Sequence, residues 1–209
     1  MMDVLEVYER PYDPNRPVIC LDEKSKQLLE DVRAALGTKP GQIRKRDYEY
    51  IRHGTINCFV AIEPKGRNRV VRVRKYKKKR DFAFVLQYLL TGPYKDVEKF
   101  ILVVDNLNTH NKTALTETFG EEKGKQLNER IEWHYTPKHG SWLDMAEIEI
   151  GVLSQQCLKK PIATFQKMQH QVSCWVKDRN QKGKGITWKF TREKAAKKFG
   201  LDYPSELTI

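Results

Sequence analysis

Two apolar segments of the sequence each run into an aspartate, and these two carboxylates are the residues best suited to chemistry. Residues 18–21 precede Asp22, and residues 101–104 precede Asp105. Short apolar runs of this kind predict buried strands, and an aspartate at a strand end is often only a turn or cap former. If the two strands lie side by side, however, the carboxylates repel each other unless a cation lies between them.

A third carboxylate would complete an oxygen-lined site for Mg²⁺, which prefers hard oxygen ligands. Glu147 and Glu149 are the candidates, on a predicted helix whose apolar residues form one stripe. The two glutamates flank this stripe on opposite sides, so periodicity does not choose between them. Either one could instead be an ordinary solvated side chain.

The charge balance indicates a polyanionic partner. The 209 residues include 39 Lys and Arg against 27 Asp and Glu, a formal net charge of +12, and nucleic acid is the commonest polyanion. A membrane is not expected to be the partner, because no long apolar segment occurs. One basic run is the best candidate for phosphate contacts, although such a run can be only a solvated face: Arg72, Arg74, Lys75, Lys77, Lys78, Lys79 and Arg80.

The elements that would position these groups alternate between strands and helices, which predicts an α/β fold with a mixed sheet flanked by helices. Before the first strand, residues 1–16 are expected to form an extended leader, since prolines punctuate its second half. The other expected elements follow in chain order: a helix or loop at 25–35, a linker at 36–46, strands at 56–62 and 71–74, a helix at 81–91, helical or mixed structure at 111–128, and a strand at 131–135.

The carboxyl-terminal third is predicted to be helical. Ser141 and Asp144 form an S-x-x-D pattern that predicts a helix start there. Pro161 can open the next helix, which is expected to continue to about residue 179, and a Lys-rich helix closes the chain. The four cysteines form no CxxC pair, which favours free thiols in a reducing cytoplasm. One domain covering residues 1–209 is the expected organisation.

The sequence resembles bacterial insertion-sequence transposases of the mariner superfamily, the DDE type with an RNase H-like fold. The resemblance spans nearly the whole chain in the expected order. It is carried by residues 20–24, 48–52, 54–55, 103–110, 135–143, 146–149, 156–158 and 188–191.

The resemblance implies a catalytic and metal-binding triad of Asp22, Asp105 and Glu147. The family's glutamate closes a leucine-asparagine-x-x-glutamate motif, which here begins at Leu143 and selects Glu147 over Glu149. Glu147 follows Asp105 by 42 positions, a little more than the superfamily usually has. Asp144 stands where the family usually has asparagine, so it either caps the helix or adds negative charge to the metal site. The helix-turn-helix region that usually precedes this domain in the family is expected to be absent.

The implied reaction is cleavage of DNA at the ends of an element and transfer of the freed 3′ hydroxyl into target DNA. The implied cofactor is Mg²⁺ or Mn²⁺, as two ions, and the implied partner is double-stranded DNA bound by a homodimer at the nucleoid in the cytoplasm. His110, Lys138 and His139 are further candidates for DNA contact. Two alternatives stay open: an inactive DNA-binding remnant, and another RNase H-like nuclease such as a ribonuclease or junction resolvase.

Overall fold

The computed structural model describes residues 1–33, 40–41 and 49–201. Their centre is one five-stranded sheet with the order β3-β2-β1-β4-β5. Strands β1, β2 and β3 pair antiparallel, and β4 and β5 continue the sheet in parallel with β1. The strands are β1 (Val18–Asp31), β2 (Tyr50–Glu63), β3 (Asn68–Arg74), β4 (Phe100–Val104) and β5 (Ile131–Tyr135).

Helices cover both faces of this sheet. The described residues form α1 (Met2–Glu9), α2 (Lys79–Thr91), α3 (Thr113–Phe119), α4 (Glu121–Glu129), α5 (Ala146–Gln156), α6 (Phe165–Gln181) and α7 (Arg192–Phe199). Helices α2, α3 and α4 pack on one face, and α1, α5, α6 and α7 pack on the other. Because β4 is covered on both faces, all five of its residues are apolar and buried. The predicted mixed sheet flanked by helices is confirmed.

Strand β1 is longer than its apolar run, so the predicted end of this strand is wrong. Its continuous buried run ends at Leu21, but antiparallel pairing with β2 continues to Asp31, opposite Tyr50, with Leu28 as the one buried residue of this extension. The helix or loop predicted at 25–35 is therefore strand as far as Asp31. Backbone pairing with β2 supports this extension, and a single buried Leu28 is too sparse a pattern for hydrophobic periodicity to reveal it. The linker predicted at 36–46 lies mostly outside the described residues.

The amino-terminal residues are not an extended leader throughout. Residues Met2–Glu9 form helix α1, which buries Val4, Leu5, Val7 and Tyr8. This is a short helix whose stability comes from packing one face on the sheet rather than from its own propensity. The proline-containing segment that follows is non-helical, as expected.

Two helix starts also differ from the sequence predictions. Ser141 begins a single turn of 3₁₀ helix, Ser141–Leu143, and α5 starts only at Ala146. Helix α6 starts at Phe165, and Thr164 caps it by accepting a hydrogen bond from the Lys167 N–H. A threonine cap therefore decides this boundary rather than Pro161.

The strand at 131–135, the helix over 81–91 and the closing Lys-rich helix form as predicted. The strands predicted at 56–62 and 71–74 also form, but they begin earlier, at Tyr50 and Asn68. No helix among the described residues is long and apolar enough to cross a bilayer. The sheet thus carries the first two aspartates, and the face formed by α1, α5 and α7 carries the glutamate.

Candidate active site

Asp22 and Asp105 lie next to each other on neighbouring parallel strands. The last paired residues of β1 and β4 are Leu21 and Val104, and each aspartate is the residue that follows. Both side chains are partly buried, and Asp22 Oδ1 accepts a hydrogen bond of 2.6 Å from the Glu23 N–H. The strand pairing therefore brings together two acidic residues that are far apart in the sequence.

The ionisation of Asp22 reflects this crowding. Burial raises its pKa from 3.8 to about 6, and the negative charges of Glu23 and Asp105 act in the same direction. The Glu23 N–H and the His110 ring oppose the rise without cancelling it. At neutral pH Asp22 is therefore an ionised carboxylate held close to other carboxylates, which is the electrostatic setting that a bound cation would relieve.

Asp144 adds another carboxyl group beside Asp22 and Asp105, and we call these three side chains the carboxylate cluster. It is only 1% exposed, and its Oδ1 accepts a hydrogen bond of 2.8 Å from the Ala146 N–H at the start of α5. Its Oδ2 is buried without a hydrogen-bond partner among the described residues. Burial raises the pKa of Asp144 well above its usual range, and the charges of Asp22, Asp105 and Glu147 raise it further.

Helix α1 packs against the loop that leads into α5 and against β1. The Tyr8 hydroxyl donates a 2.7 Å hydrogen bond to the Leu143 carbonyl and lies 3.5 Å from the Cys20 Sγ. Burial raises the pKa of both the tyrosine hydroxyl and the thiol above their usual ranges. Helix α1 therefore seals the loop that leads into α5 against β1.

Helix α5 presents its two glutamates in opposite ways. Glu147, in the first turn, is exposed beside Asp144, whereas Glu149 is 1% exposed. Glu149 Oε1 lies 3.0 Å from the Arg69 Nε and accepts a hydrogen bond of 3.2 Å from the Arg179 Nε. Glu149 is thus an internal counter-charge, whereas Glu147 is exposed and its negative charge acts on Asp144.

His110 is not on the surface, so the prediction that it contacts DNA is wrong. Its side chain is 1% exposed and stacks on the Phe82 ring with 4.6 Å between centroids. Its Nδ1 lies 2.5 Å from Asp105 Oδ1, and its Nε2 forms an ion pair with Glu23 Oε2 at 2.7 Å. Sequence reasoning missed this bridge, because only the strand pairing brings Glu23 to the loop after β4.

The contact between His110 and Asp105 shifts the pKa values of the two groups in opposite directions. Burial alone would lower the pKa of His110, but Asp105 and Glu23 outweigh it and raise the pKa to about 9. Burial would likewise raise the pKa of Asp105, but the His110 hydrogen bond and charge, the Leu107 N–H and Lys77 together hold it below its usual value. Asp105 is therefore an anion and His110 a cation at neutral pH.

The predicted basic run divides into internally paired and open residues. Arg74 forms an ion pair with Asp81 at 3.1 Å, Lys79 one with Glu117 at 2.8 Å, and Arg72 stacks over the Tyr88 ring. The other members are exposed in the loop between β3 and α2 or in the first turn of α2, where Arg80 lies over the Phe84 ring: Lys75, Lys77, Lys78 and Arg80. We call these four residues the basic loop. Its Lys77 Nζ lies 3.9 Å from Glu23 Oε1, so the loop borders the carboxylate cluster.

A second exposed group lies on the loop after β5. Lys138 and His139 are both exposed, and His139 has a left-handed backbone, φ 61°. The following Trp142 is 46% exposed and packs edge-on against Phe190. This loop leads into the helix that carries Glu147.

The donor set suits a hard divalent cation, although the side chains are not drawn together around one. Within residues 1–33, 40–41 and 49–201, no three His, Cys, Asp or Glu side chains lie close enough to hold a metal ion. The cluster is nonetheless made of carboxylate oxygens, including the unpartnered Asp144 Oδ2 and the crowded Asp22. Oxygen ligands of this kind fit Mg²⁺ or Mn²⁺ better than zinc or copper.

Comparison with known families gives one match that covers most of the chain. The profile of the DDE superfamily endonuclease family matches residues 17–169. This segment contains Asp22, Asp105, Asp144 and Glu147. A search of curated proteins finds no match.

Several solved structures share the fold. The Mos1 strand transfer complex superposes with a TM-score of 0.53 at 15% identity, over 87% of this chain and 54% of that one. The Mos1 mariner paired-end complex with Mn gives 0.52 at 15% identity, over 87% of this chain and 55% of that one. The corresponding complex with Mg gives 0.50 at 14% identity, over 88% and 62%. The chain thus spans little more than half the length of the Mos1 chains, and the shared fold is the RNase H-like catalytic fold.

Proposed function

Because the chain belongs to the DDE superfamily endonuclease family, we propose that it is the catalytic domain of a cut-and-paste transposase. Asp22, Asp105 and Glu147 would hold the divalent cations. The observation that carries this proposal is the pairing of Leu21 with Val104, which sets Asp22 and Asp105 side by side. The buried Asp144 links this pair to Glu147 electrostatically.

The divalent cations, two in number, would supply activation of the attacking hydroxyl and charge stabilisation at the leaving 3′ oxygen. Asp22 would help to hold both ions, and Asp105 and Glu147 would each help to hold one. Glu147 is exposed, so it can approach the aspartates without opening the core. Asp144 would remain on the helix cap, since its Oδ1 is already engaged by the Ala146 N–H.

The DNA would run over the basic loop and the loop after β5. Lys77, Lys75 and Lys78 are exposed in the basic loop, and Lys138 and His139 are exposed on the loop that leads into α5. Contacts of this kind bind the phosphate backbone and carry little sequence information. The similarity to Mos1 paired-end complexes supports element ends as the substrate. The proposal extends to a homodimer as the active unit, acting on double-stranded DNA at the nucleoid.

The experiment that tests this proposal compares hydrolysis with strand transfer. Wild-type protein and Asp105→Ala are incubated with supercoiled plasmid and Mg²⁺, and separately with a precleaved DNA end bearing a free 3′ hydroxyl. We expect metal-dependent nicking and covalent joining of the end to the plasmid with the wild type only. Equal nicking by both proteins would place the chemistry elsewhere.

The two alternatives predict other results in the same assay. An inactive remnant would bind DNA at low salt but neither nick nor join it with any divalent cation. A hydrolytic RNase H-like nuclease would nick the plasmid without joining the end to it. Joined product dependent on Asp105 is therefore the outcome that distinguishes the transposase from both.

A further inference from the structure

His110 and Glu23, which bridge to Asp105, have no part in the reaction described above. We propose that His110, supported by Glu23, is a positioning residue that fixes the carboxylate of Asp105 in the orientation needed to bind a divalent cation. This inference rests on the proposed function, because it assumes that Asp105 binds the cation.

The contacts of Asp105 are asymmetric. The His110 Nδ1, at 2.5 Å, and the Leu107 N–H, at 3.3 Å, both fall on Oδ1. Among the residues that the structure describes, no donor lies on Oδ2. The terminal torsion of an aspartate is soft, so two contacts on one oxygen select one orientation of the group. Oδ2 is thereby left as the oxygen that can turn to a cation.

His110 is itself surrounded by an aromatic ring and two carboxylates. The Phe82 ring packs on the imidazole, and Glu23, only 4% exposed, forms an ion pair with Nε2 at 2.7 Å. Glu23 follows Asp22 directly on β1, whereas His110 lies five residues beyond Asp105. The bridge therefore couples the two strands that carry the paired aspartates, and it does so immediately behind them.

Burial excludes a direct role for His110 in the chemistry. A side chain that is 1% exposed, with both ring nitrogens against carboxylates, cannot reach a phosphate or an attacking water. Histidine and amide groups behind a ligating carboxylate commonly act by orienting it, and losing such a partner typically weakens metal binding about 10- to 100-fold.

A purely architectural role is the competing explanation, and the chain contains a matched control for it. His134, on β5, also bridges two carboxylates: its Nδ1 lies 2.8 Å from Asp3 Oδ2, and its Nε2 lies 3.0 Å from Glu132 Oε1. Its side chain is 10% exposed, and neither acidic partner belongs to the cluster. His134→Ala thus removes the same kind of bridge without touching Asp105.

The test measures Mn²⁺ binding by calorimetry on DNA-free protein, together with thermal unfolding in EDTA. The variants are His110→Ala, His110→Asn, Glu23→Gln, Asp105→Ala and His134→Ala. Asparagine can place an amide N–H near the position of Nδ1, so it keeps the contact to Asp105 and loses only the link to Glu23. We expect His110→Ala to bind Mn²⁺ about 10- to 100-fold more weakly, His110→Asn to recover part of that loss, and His134→Ala to bind like the wild type.

A kinetic measurement adds a second criterion. In the nicking assay, His110→Ala is expected to raise the Mg²⁺ concentration for half-maximal rate while leaving the KM for DNA unchanged. If His110→Ala does not fold, His110→Asn and Glu23→Gln carry the test, since both keep polar atoms at the bridge and are expected to weaken Mn²⁺ binding.

Two results would overturn the inference. One is Mn²⁺ affinity within twofold of the wild type in folded His110 and Glu23 variants. The other is an equal loss of affinity in His134→Ala, which would indicate a general structural effect. If Asp105→Ala still abolishes binding, only the positioning role falls. If the wild type binds no Mn²⁺ at all, the proposed function falls with it.

Discussion

At the scale of single residues, the site is a cluster of like charges that the fold holds together against their repulsion. Asp22 has a raised pKa because of its burial and its acidic neighbours, and Asp144 is buried with one unpartnered oxygen. Neither arrangement stabilises the folded protein in the absence of a cation. Residues that oppose stability in this way commonly mark functional sites.

Because the Asp22 carboxylate is buried among other acidic groups, we expect Asp22→Asn to stabilise the metal-free protein at neutral and alkaline pH. The folded-state pKa lies above the unfolded one, so ionisation of Asp22 reduces stability as the pH rises from 3.8 through about 6, and the full reduction persists above that. The asparagine removes it, so the variant should be more stable in EDTA above pH 6 by on the order of 1–3 kcal/mol. The difference in unfolding free energy between the variant and the wild type should disappear below pH 4, as measured by urea unfolding.

Asp178→Asn is the control for this comparison. Asp178 is about half exposed and pairs with Lys182 on the surface, so its substitution should change stability by less than about 1 kcal/mol at any pH. Lower stability of Asp22→Asn at pH 8 in EDTA would contradict the argument from charge crowding.

At the scale of elements, a buried ion cluster fixes the orientation of α5 about its own axis. Arg69 reaches from β3, and Arg179 from α6, to the same Glu149 carboxylate. Asn180 accepts hydrogen bonds from both the backbone and the side chain of Arg69 through its Oδ1. Since Glu149 must point inward to meet both guanidinium groups, Glu147, two residues earlier on the helix, lies on the exposed side.

The two glutamates of α5 should therefore respond in opposite ways to the same substitution. Glu149→Gln leaves two buried guanidinium groups without a counter-charge, so it should lower the free energy of unfolding by about 3 kcal/mol. Glu147→Gln, at an exposed position, should change it by less than about 0.5 kcal/mol and abolish nicking. Thermal unfolding and the plasmid assay measure the two effects; full activity of folded Glu147→Gln would remove it from the site.

The basic loop allows a prediction about salt dependence. Changing Lys75, Lys77 and Lys78 together to glutamine should weaken DNA binding and reduce the slope of log K against log salt by about 0.9 for each lost phosphate contact. The matched control is Lys95→Gln with Lys99→Gln, two exposed residues before the opposite end of β4. Fluorescence anisotropy with duplex DNA at several salt concentrations measures both; equal slopes for all proteins would exclude the loop from the DNA interface.

At the scale of the whole molecule, the amino-terminal segment belongs to the folded domain and supports the site from below. Arg10 and Arg16 both form ion pairs with Glu132 of β5, at 2.7 and 2.6 Å. Together with the Tyr8 contact to Leu143, these ion pairs join the first residues of the chain to the strand and loop that precede α5. Loss of these contacts should lower the free energy of unfolding of the domain.

Protonation of Glu132 at low pH should break its ion pairs with Arg10 and Arg16. Burial would raise the pKa of Glu132, but the hydrogen bonds and charges of Arg10 and His134 outweigh it and lower the pKa from 4.5 to about 2. A depressed folded-state pKa contributes stability that is fully present above pH 4.5 and is lost as the pH falls through about 2.

Glu132→Gln should therefore be less stable than the wild type at pH 7, with the difference closing between pH 4.5 and 2. The exposed pair of Glu121 and Lys125, whose charged atoms are 3.8 Å apart, provides the control. Glu121→Gln should follow the wild-type curve throughout. Parallel acid-unfolding curves for Glu132→Gln and the wild type, offset by a constant amount, would show that the charge of Glu132 is not responsible.

Most of the sheet was predictable from the sequence, since short apolar runs and alternation are local signals. The strand at 131–135 and the apolar run before Asp105 agree with the structure residue by residue or nearly so. The extension of β1 to Asp31 was not predictable, because its partner strand lies beyond an intervening segment. Helix α1 was missed for a related reason, since its apolar face is stabilised by the sheet rather than by its own sequence.

By itself, the sequence determined the fold class, the two aspartates that follow apolar strand cores, and the excess of positive charge. Only the tertiary structure decided which glutamate of α5 is buried, that His110 lies behind Asp105, and which basic residues remain open to DNA. The physical reason is the range of the interactions. Periodicity and apolar runs involve neighbouring residues. The positions of the Glu149, His110 and Arg74 side chains are instead fixed by ion pairs with charged partners that the fold brings close.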